Sequence, residues 1–537
     1  MLKRWTPPLP GRYVPMDHQA EDVRRFSCQP RILVLNGLGT GKTATVAWWL
    51  QEHWLGGRLD DVIIVGPDMV LDGWRETFLD TAWPGDLVEF IDARPPDHSL
   101  IREAMTTPVG PDPAKLRVFF TTCYGISDLA PMNRVNKPTE EAQEFLSGVR
   151  GRLTAFIVDE AQSVALPVTE QGKSARAIAD SSTYVAGITA TPNGNTKSLR
   201  WWGLIRLVRP DVLARIPNVR MFDPHPANGS FDAFKARYGF LMDPMAKKGR
   251  TFKLHRAFVV DVDVRKLTRE VMPIIAPFTV SRRKEDCLNL PEKVMSVRAV
   301  DMSPRVARMM ADLVEEDRLV LGSSVIVPSN VLEERLRVME LSGGFIAGVP
   351  VHSQKLELLR DLLEDELDED PLSKPRLIWA SRTKPLMAAA LVAAGVAPDE
   401  ALHWDFDDYQ SVLARAWKGG VGLIHGQTTE AKRVSVQAAW RAGEIHTVVA
   451  HPGVAGAGLN WQHVRVSIYY DQPLGSIARQ QSEDRVHRKG LEHTAVYYDL
   501  VLRGGPDSEV LMAHREQRSV EGALLRWLVD FHASASA

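Results

Sequence analysis

Short apolar runs with almost no polar interruption constrain this chain more than any other feature. The first third carries "RILVLNG" (31–37), "DVIIVGP" (61–67), "LRVFFTT" (116–122), "TAFIVDE" (154–160) and "TYVAGITA" (183–190), each closed by turn-forming or charged residues. A strand with one wet face alternates polar and apolar residues. Runs like these need cover on both faces, which is the condition of a parallel sheet between layers of helices. The rhythm returns with "PRLIWAS" (375–381), "GVGLIHG" (420–426), "IHTVVAHP" (445–452), "VRVSIYYD" (464–471) and "AVYYDLVL" (495–502). Between the two sets, helical patterns such as "FDAFKARYGF" and "SPRVARMMADLVEEDRLVL" take its place. The expected class is α/β, two parallel-sheet halves with a helical insert between them.

A chain of 537 residues divides into about three or four compact units on the usual domain size. The pattern places the divisions at 1–196, 197–345, 346–502 and 503–537. Acidic "EDELDEDP" (364–371) reads as a solvated loop, the terminal "HASASA" as a frayed end, and no fixed-period repeat is present. With 25% charged residues and a net charge of −2, the chain is no polycation, so any nucleic-acid contact must come from local basic faces. Cys28, Cys123 and Cys287 lie far apart without a C-x-x-C pair, which argues against a disulfide framework or a thiolate zinc site. The proline-rich start lacks the apolar core of a signal peptide, and no apolar run is long enough for a membrane-spanning helix. These features point to a cytoplasmic protein.

The strand "RILVL" runs into Gly39-Thr40-Gly41-Lys42-Thr43 and then into a helical pattern. Glycines allow backbone N–H groups to close around phosphates, and the following helix adds its positive N-terminal end. Lys42 reaches the β- and γ-phosphates in such a loop, and the Thr43 hydroxyl ligates Mg²⁺. Asn36 occupies the position where the strict pattern has its first glycine. Asp159 and Glu160 close the strand "FIVDE". After a phosphate loop, Asp159 is expected to hold Mg²⁺ through water and Glu160 to orient and deprotonate the attacking water. Thr189 and Thr191, in "GITATPNGN" (187–195), stand at a further strand end, where hydroxyls can sense a γ-phosphate. The bland alternative for each is a glycine turn, a charged strand ending and a Thr/Pro/Asn turn.

In this order the motifs resemble those of superfamily-two helicases and translocases, and within them the Swi/Snf family of double-stranded DNA motors. The family's D-E-M-G-L-G-K-T, D-E-A-H and L-T-G-T-P-I-Q-N segments are similar to residues 36–43, 159–162 and 188–195 here. "IIAPFTVSRRKEDCLNLPEKV" (274–294) resembles its arginine-arginine-lysine linker followed by Leu-Pro-x-Lys. "LIHGQTTEAKRVSVQAAWRAGE" (423–444), "VAGAGLNWQHVRVSIYYD" (454–471, with Gly458) and "RQQSEDRVHRKG" (479–490) resemble its later motifs. The likeness spans residues 13 to 515.

The resemblance implies tandem RecA-like lobes, ATP and Mg²⁺ as cofactors, and double-stranded DNA as a partner bound without strong sequence preference. It gives Gln19 a place at the adenine edge and Gly458 a place near the nucleotide, and it makes Arg485 and Arg488 arginine fingers. Their spacing reads as one helical face. Guanidinium groups from a second lobe stabilise charge on the γ-phosphate in the transition state. Lys197, Arg200, Arg282, Arg283, Lys284, Arg382 and Lys384 are candidate contacts to the DNA backbone. The helical insert corresponds to the family's protrusions, and residues 503–537 to its closing brace helices.

The sequence departs from the family at His451-Pro452-Gly453, where Ser or Thr is usual, and at "QPLGSIARQ" after Asp471. Those segments bear on DNA grip rather than on the chemistry. A strand-separating helicase and the motor subunit of a restriction or defence system are the alternatives. A non-catalytic clamp is disfavoured by the intact Lys42, Asp159, Glu160, Arg485 and Arg488. The lean length suggests a bacterial or viral setting.

Overall fold

The computed structural model describes residues 5–9, 11–81, 83, 86–107, 115–134, 136–192, 199–217, 229–241, 259–262, 264–316, 318–322, 324–329, 331–366, 375–454 and 461–516. The chain separates into two compact units, not the three or four that its length suggests. Unit 1 comprises Met1–Met242 and Ala257–Asn289, and unit 2 comprises Asp243–Arg256 and Leu290–Ala537.

Unit 1 is built on seven parallel strands: β1 (Arg31–Val34), β2 (Asp61–Val65), β3 (Val88–Asp92), β4 (Leu116–Thr121), β5 (Thr154–Asp159), β6 (Tyr184–Ile188) and β7 (Thr279–Val280). Their order across the sheet is β3-β4-β2-β5-β6-β1-β7. Successive side chains enter opposite cores. Leu33, Ile63, Val65, Phe156 and Val158 pack on one face among Phe145, Trp202 and Phe234. Ile32, Val34, Val62, Ile64, Ala155 and Ile157 pack on the other among Trp49, Trp74, Phe78 and Trp83. Each buried Val, Leu or Ile contributes about 1.5–3 kcal/mol of transfer free energy, so the double cover explains why these strands read as unbroken apolar runs.

Unit 2 repeats the plan with six parallel strands: β8 (Lys293–Asp301), β9 (Arg376–Trp379), β10 (Val421–Ile424), β11 (Thr447–Ala450), β12 (Val466–Tyr469) and β13 (Ala495–Arg503). They lie in the order β8-β13-β12-β9-β11-β10. Ile378 faces one core with Leu356, Leu386 and Ile468, whereas Leu377 and Trp379 face the other with Trp440 and Trp461. The α/β class with two parallel sheets is borne out.

The span 197–345 differs from the expected helical insert. It does hold the helices Arg200–Val208, Gly229–Tyr238, Val264–Ile275, Pro304–Glu315 and Val331–Ser342, but it also supplies β7 to the first sheet and β8 to the second. The missed strands β3, β7 and β8 all lie at sheet edges. In β8, Val294 and Val297 are 37% and 41% exposed, so its pattern lacks the continuous apolar run of a central strand.

From the closing segment, helix α5 (Asp507–Arg515) packs onto unit 2 itself: a buried ion pair joins Asp507 to Lys355 at 2.6 Å, and Ser342 Oγ donates to Asp507 at 2.6 Å. Residues 517–537, Lys197, Gly458 and most of the acidic segment 364–371 lie outside the described residues. Among the described residues, no helix is long and apolar enough to cross a membrane.

Candidate nucleotide site

At the carboxyl ends of β1, β6 and β5, three neighbours in the first sheet, the structure gathers the phosphate loop, Thr189 and Asp159. Ligands of parallel α/β sheets bind at this edge, because helix N-termini and loop amides converge there. Gly39 and Gly41 both have φ of +76°, which favours glycine, and Gly41 caps helix α2 (Lys42–Leu55). A Cβ at Gly41 would stand 2.3 Å from the Gln19 amide nitrogen. Thr40 Oγ1 donates to the Gly37 carbonyl at 2.7 Å, and Lys42 Nζ donates to the same carbonyl at 3.1 Å. The lysine therefore lies folded back over the turn whose phosphate it is expected to reach.

Gln19 and His18 lie on helix α1 (Asp17–Phe26) and hold this loop from outside. Gln19 Nε2 donates to the carbonyls of Gly41 at 3.0 Å and Thr40 at 3.4 Å, while its Oε1 accepts from the Met16 amide at 2.9 Å. The His18 ring bonds the Thr40 carbonyl at 2.9 Å. The side chain expected at the adenine edge is thus engaged with the loop backbone.

Asn36, which breaks the strict glycine pattern, is fully buried and donates to Asp22 at 2.9 Å. Asp22 is also fully buried, and its other oxygen accepts from Arg282 Nε at 2.9 Å and Nη2 at 2.7 Å. Sequence reading gave neither Asp22 nor this use of Asn36 a role.

The acidic pair is held as tightly. Trp74 Nε1, on helix α3 (Asp68–Asp80), donates to Asp159 Oδ2 at 2.9 Å, and the Glu160 amide donates to Oδ1 at 2.9 Å. Burial, reinforced by the neighbouring Glu160 charge, raises the Asp159 carboxyl to about 6, against the opposing pull of Trp74 and Lys42. Glu160 sits in the left-handed region at φ 53°, a strain on the order of 1 kcal/mol or more for a non-glycine residue. Gln162 Nε2 donates to its carboxylate at 2.6 Å. Thr189 is fully buried and accepts from the Thr191 amide at 2.9 Å.

In unit 2, helix α4 (Ser476–Val486) carries Arg485 in its last turn. The helix ends before Arg488, so the two arginines do not share one helical face as their spacing suggests. His487 leaves helical geometry at φ −84° and ψ 82°, and its ring bonds the Pro291 carbonyl at 2.9 Å. Both arginines are half-buried.

What fixes the helix is Arg479, 3% exposed, a residue to which the sequence reading gave no role. It donates to Asp499 at 2.5 Å, to Gln472 at 2.7 Å and to Glu483 at 2.6 Å, and its guanidinium stacks 3.5 Å from the Tyr469 ring centroid. Lys293, from the Leu-Pro-x-Lys segment, pairs with the same Glu483. Neighbouring Arg479 and Lys293 charges hold the Glu483 carboxyl at about 2 despite its burial. The Arg479–Glu483 spacing was the one visible signal, an opposite-charge pair four apart on a helix.

The candidate DNA contacts are mostly tethered inside their own units. Arg200 donates to the Gln162 carbonyl at 2.6 Å, Arg382 pairs with buried Asp471 at 2.7 Å, and Lys384 donates to the Gly348 carbonyl at 2.9 Å. Arg282 pairs with Asp22 and Glu21, and Lys284 is 9% exposed. Arg283, its side chain 80% exposed and paired to Asp286, points outward. His451 stands where the family carries a hydroxyl, and its ring bonds the Ser381 carbonyl at 3.0 Å while accepting from the Gly453 amide at 3.1 Å.

Residues 402–490, from Leu402 through the segment bearing Arg485 and Arg488, match the family model described as the helicase conserved C-terminal domain. No curated protein sequence matches the chain. Two solved structures from Sulfolobus solfataricus are similar to it. The SWI2/SNF2 ATPase core in complex with dsDNA shares 17% identity, covering 97% of this chain and 93% of that chain at a TM-score of 0.38. The SWI2/SNF2 ATPase core domain shares 16% identity, covering 97% of this chain and 91% of that chain at a TM-score of 0.36. The family match covers residues 402–490 of unit 2, and the two parallel sheets bear out the α/β class.

Proposed function

With a helicase C-terminal domain in unit 2, we propose that this chain is a Swi/Snf-like motor that hydrolyses ATP to move along double-stranded DNA. In this role it remodels forks, repair intermediates or protein–DNA complexes without separating strands. The observation that carries the proposal is the convergence of Lys42, Thr189, Asp159 and Glu160 at one edge of the first sheet, in a chain whose second unit carries the family's arginine segment. The duplex preference rests on the resemblance of residues 274–294 and 479–490 to the Swi/Snf linker and arginine motif.

Lys42 would leave the Gly37 carbonyl for the phosphate chain, while Gly39, Thr40 and Gly41 offer backbone amides to it. Glu160 orients and deprotonates the attacking water, with Gln162 steadying its carboxylate. Arg485 and Arg488 stabilise the charge that develops on the transferred phosphoryl group. Thr43 and Asp159 fit a Mg²⁺ ion: a hydroxyl and a buried carboxylate whose anion gains from a nearby cation suit a metal that takes its other ligands from phosphates and water. Bound there, Mg²⁺ supplies neutralisation of the phosphate oxygens.

The test compares ATPase stimulation by double- and single-stranded DNA with triplex displacement and unwinding of tailed duplex. Stimulation by duplex together with triplex displacement and no unwinding is expected. Unwinding would favour the strand-separating helicase, and no stimulation by either nucleic acid would remove both readings.

A further inference from the structure

Of the places where the chain passes between the two units, the one at Asn289–Leu290 is flanked on each side by bonds to the elements that carry the chemistry. On the unit 1 side, β7 extends the sheet beside β1, and the chain continues alongside the phosphate loop. The Leu35 amide donates to the Val280 carbonyl at 2.8 Å and the Gly37 amide to the Arg282 carbonyl at 2.9 Å. A side chain at Gly37 would meet the Lys284 amide nitrogen at 3.2 Å. Asp22 then ties the two strips together through their side chains, one carboxylate oxygen to Asn36 of the loop and the other to Arg282 of the linker. Both Asp22 and Asn36 are fully buried, and a buried charge bonded on both oxygens moves only if its partners move with it.

Unit 2 begins at Leu290, and the next residues fasten to the arginine segment. The Pro291 carbonyl accepts from the His487 ring at 2.9 Å, the Ala495 amide donates to the Glu292 carbonyl at 3.2 Å, and Lys293 pairs with Glu483. Between Arg282 and Pro291 lies little more than one short helix, Lys284–Cys287. Outside that helix, the positions between the two anchors are Arg283 and residues 288–290.

We propose that residues 282–291 form a strap between the phosphate loop and the arginine-bearing helix, with Asp22 as the positioning residue that clamps its unit 1 end. Asp22 and Arg282 then transmit loop movement on nucleotide binding to the linker without touching the nucleotide. This inference rests on the nucleotide reading of the phosphate loop but needs no DNA.

Hydrogen exchange of the peptide spanning residues 284–290, measured with and without Mg²⁺ and the analogue AMP-PNP, tests it in the full chain. In the unmodified protein the analogue is expected to slow exchange there by about tenfold, the size of an ordinary coupling between sites. Asp22→Asn and, as a second variant outside the loop's helix, Arg282→Gln should still bind AMP-PNP within about threefold of the parent, yet lose that slowing. Undiminished slowing in both variants overturns the strap, as does a parent linker that ignores bound analogue. Failure of the parent to bind AMP-PNP at all overturns the nucleotide reading, and the strap with it, so the two failures are distinct.

Discussion

Asp159 in unit 1 and Glu483 in unit 2 are both withdrawn from water, yet their acidities move in opposite directions. Burial raises the Asp159 carboxyl to about 6, and two cations hold Glu483 at about 2. Among the described residues, the donors bonded to Asp159 are neutral, the Trp74 indole and the Glu160 amide, and the Lys42 charge acts on it without a bond. Glu483 is already paired with Arg479 and Lys293. The first carboxylate has the electrostatics of a group awaiting a cation; the second belongs to a finished scaffold. Unit 1 thus keeps a desolvated carboxylate at its ligand edge with Lys42 nearby but not bonded to it, and unit 2 uses paired charge to fix the helix that presents Arg485.

Substitutions can break this contrast. Lys42→Ala should lower ATP turnover by about a hundredfold or more, with melting unchanged, because it removes a charge aimed at the phosphates and nothing from a core. Arg479→Ala should act the other way round, destabilising unit 2 by about 3–5 kcal/mol by leaving Asp499 and Glu483 without their shared cation. Denaturant unfolding of both variants measures the difference. Equal stability loss in the two would erase the distinction between the units.

Acid should separate the units as well. Glu483 titrates lower folded than its ordinary 4.5, so its stabilisation is present above 4.5 and is lost as pH falls toward about 2. Asp159 titrates higher folded than its ordinary 3.8, so unit 1 gains stability as pH falls from about 6 toward 3.8. Mg²⁺ affinity should weaken over that same interval as Asp159 takes up its proton. Exchange protection followed peptide by peptide reports both trends, and parallel loss in the two units over this range would contradict them.

Finer effects sharpen the contrast. Trp74→Phe keeps the apolar body and removes the donor to Asp159, so the Mg²⁺ concentration for half-maximal turnover should rise about tenfold while the fold persists. Asp159→Asn should abolish turnover yet raise stability without metal by about 1–2 kcal/mol, since it removes a desolvated anion. A less stable Asp159→Asn variant would show that the carboxylate is structural.

Central strands were legible in the sequence because burial on both faces leaves an unbroken apolar run, as in "DVIIV" and "TAFIV". Three of the four edge strands of the two large sheets were not; β10, at the fourth edge, was readable because all four of its residues are buried. β3 and β8 keep one side open, and their mixed residues look like any half-wet segment. In the site, Lys42 and Asp159 were readable because local spacing alone places the first at a helix start after the glycine turn and the second at a strand end. Asp22, Trp74 and Arg479 were not, since each acts through a partner distant in sequence: Arg282, Asp159 and Asp499. Arg488 was misplaced on the helix for a related reason. The bond from His487 to the Pro291 carbonyl, which accompanies the helix end, is invisible in a local pattern.

The most direct test of a motor that unites the two units is ATP turnover by the Arg485→Ala, Arg488→Ala double variant on saturating duplex DNA, with nucleotide affinity measured alongside. ATP should bind within about threefold of the parent while turnover falls about a thousandfold, the scale of a lost arginine finger. Turnover equal to the parent's would contradict the account.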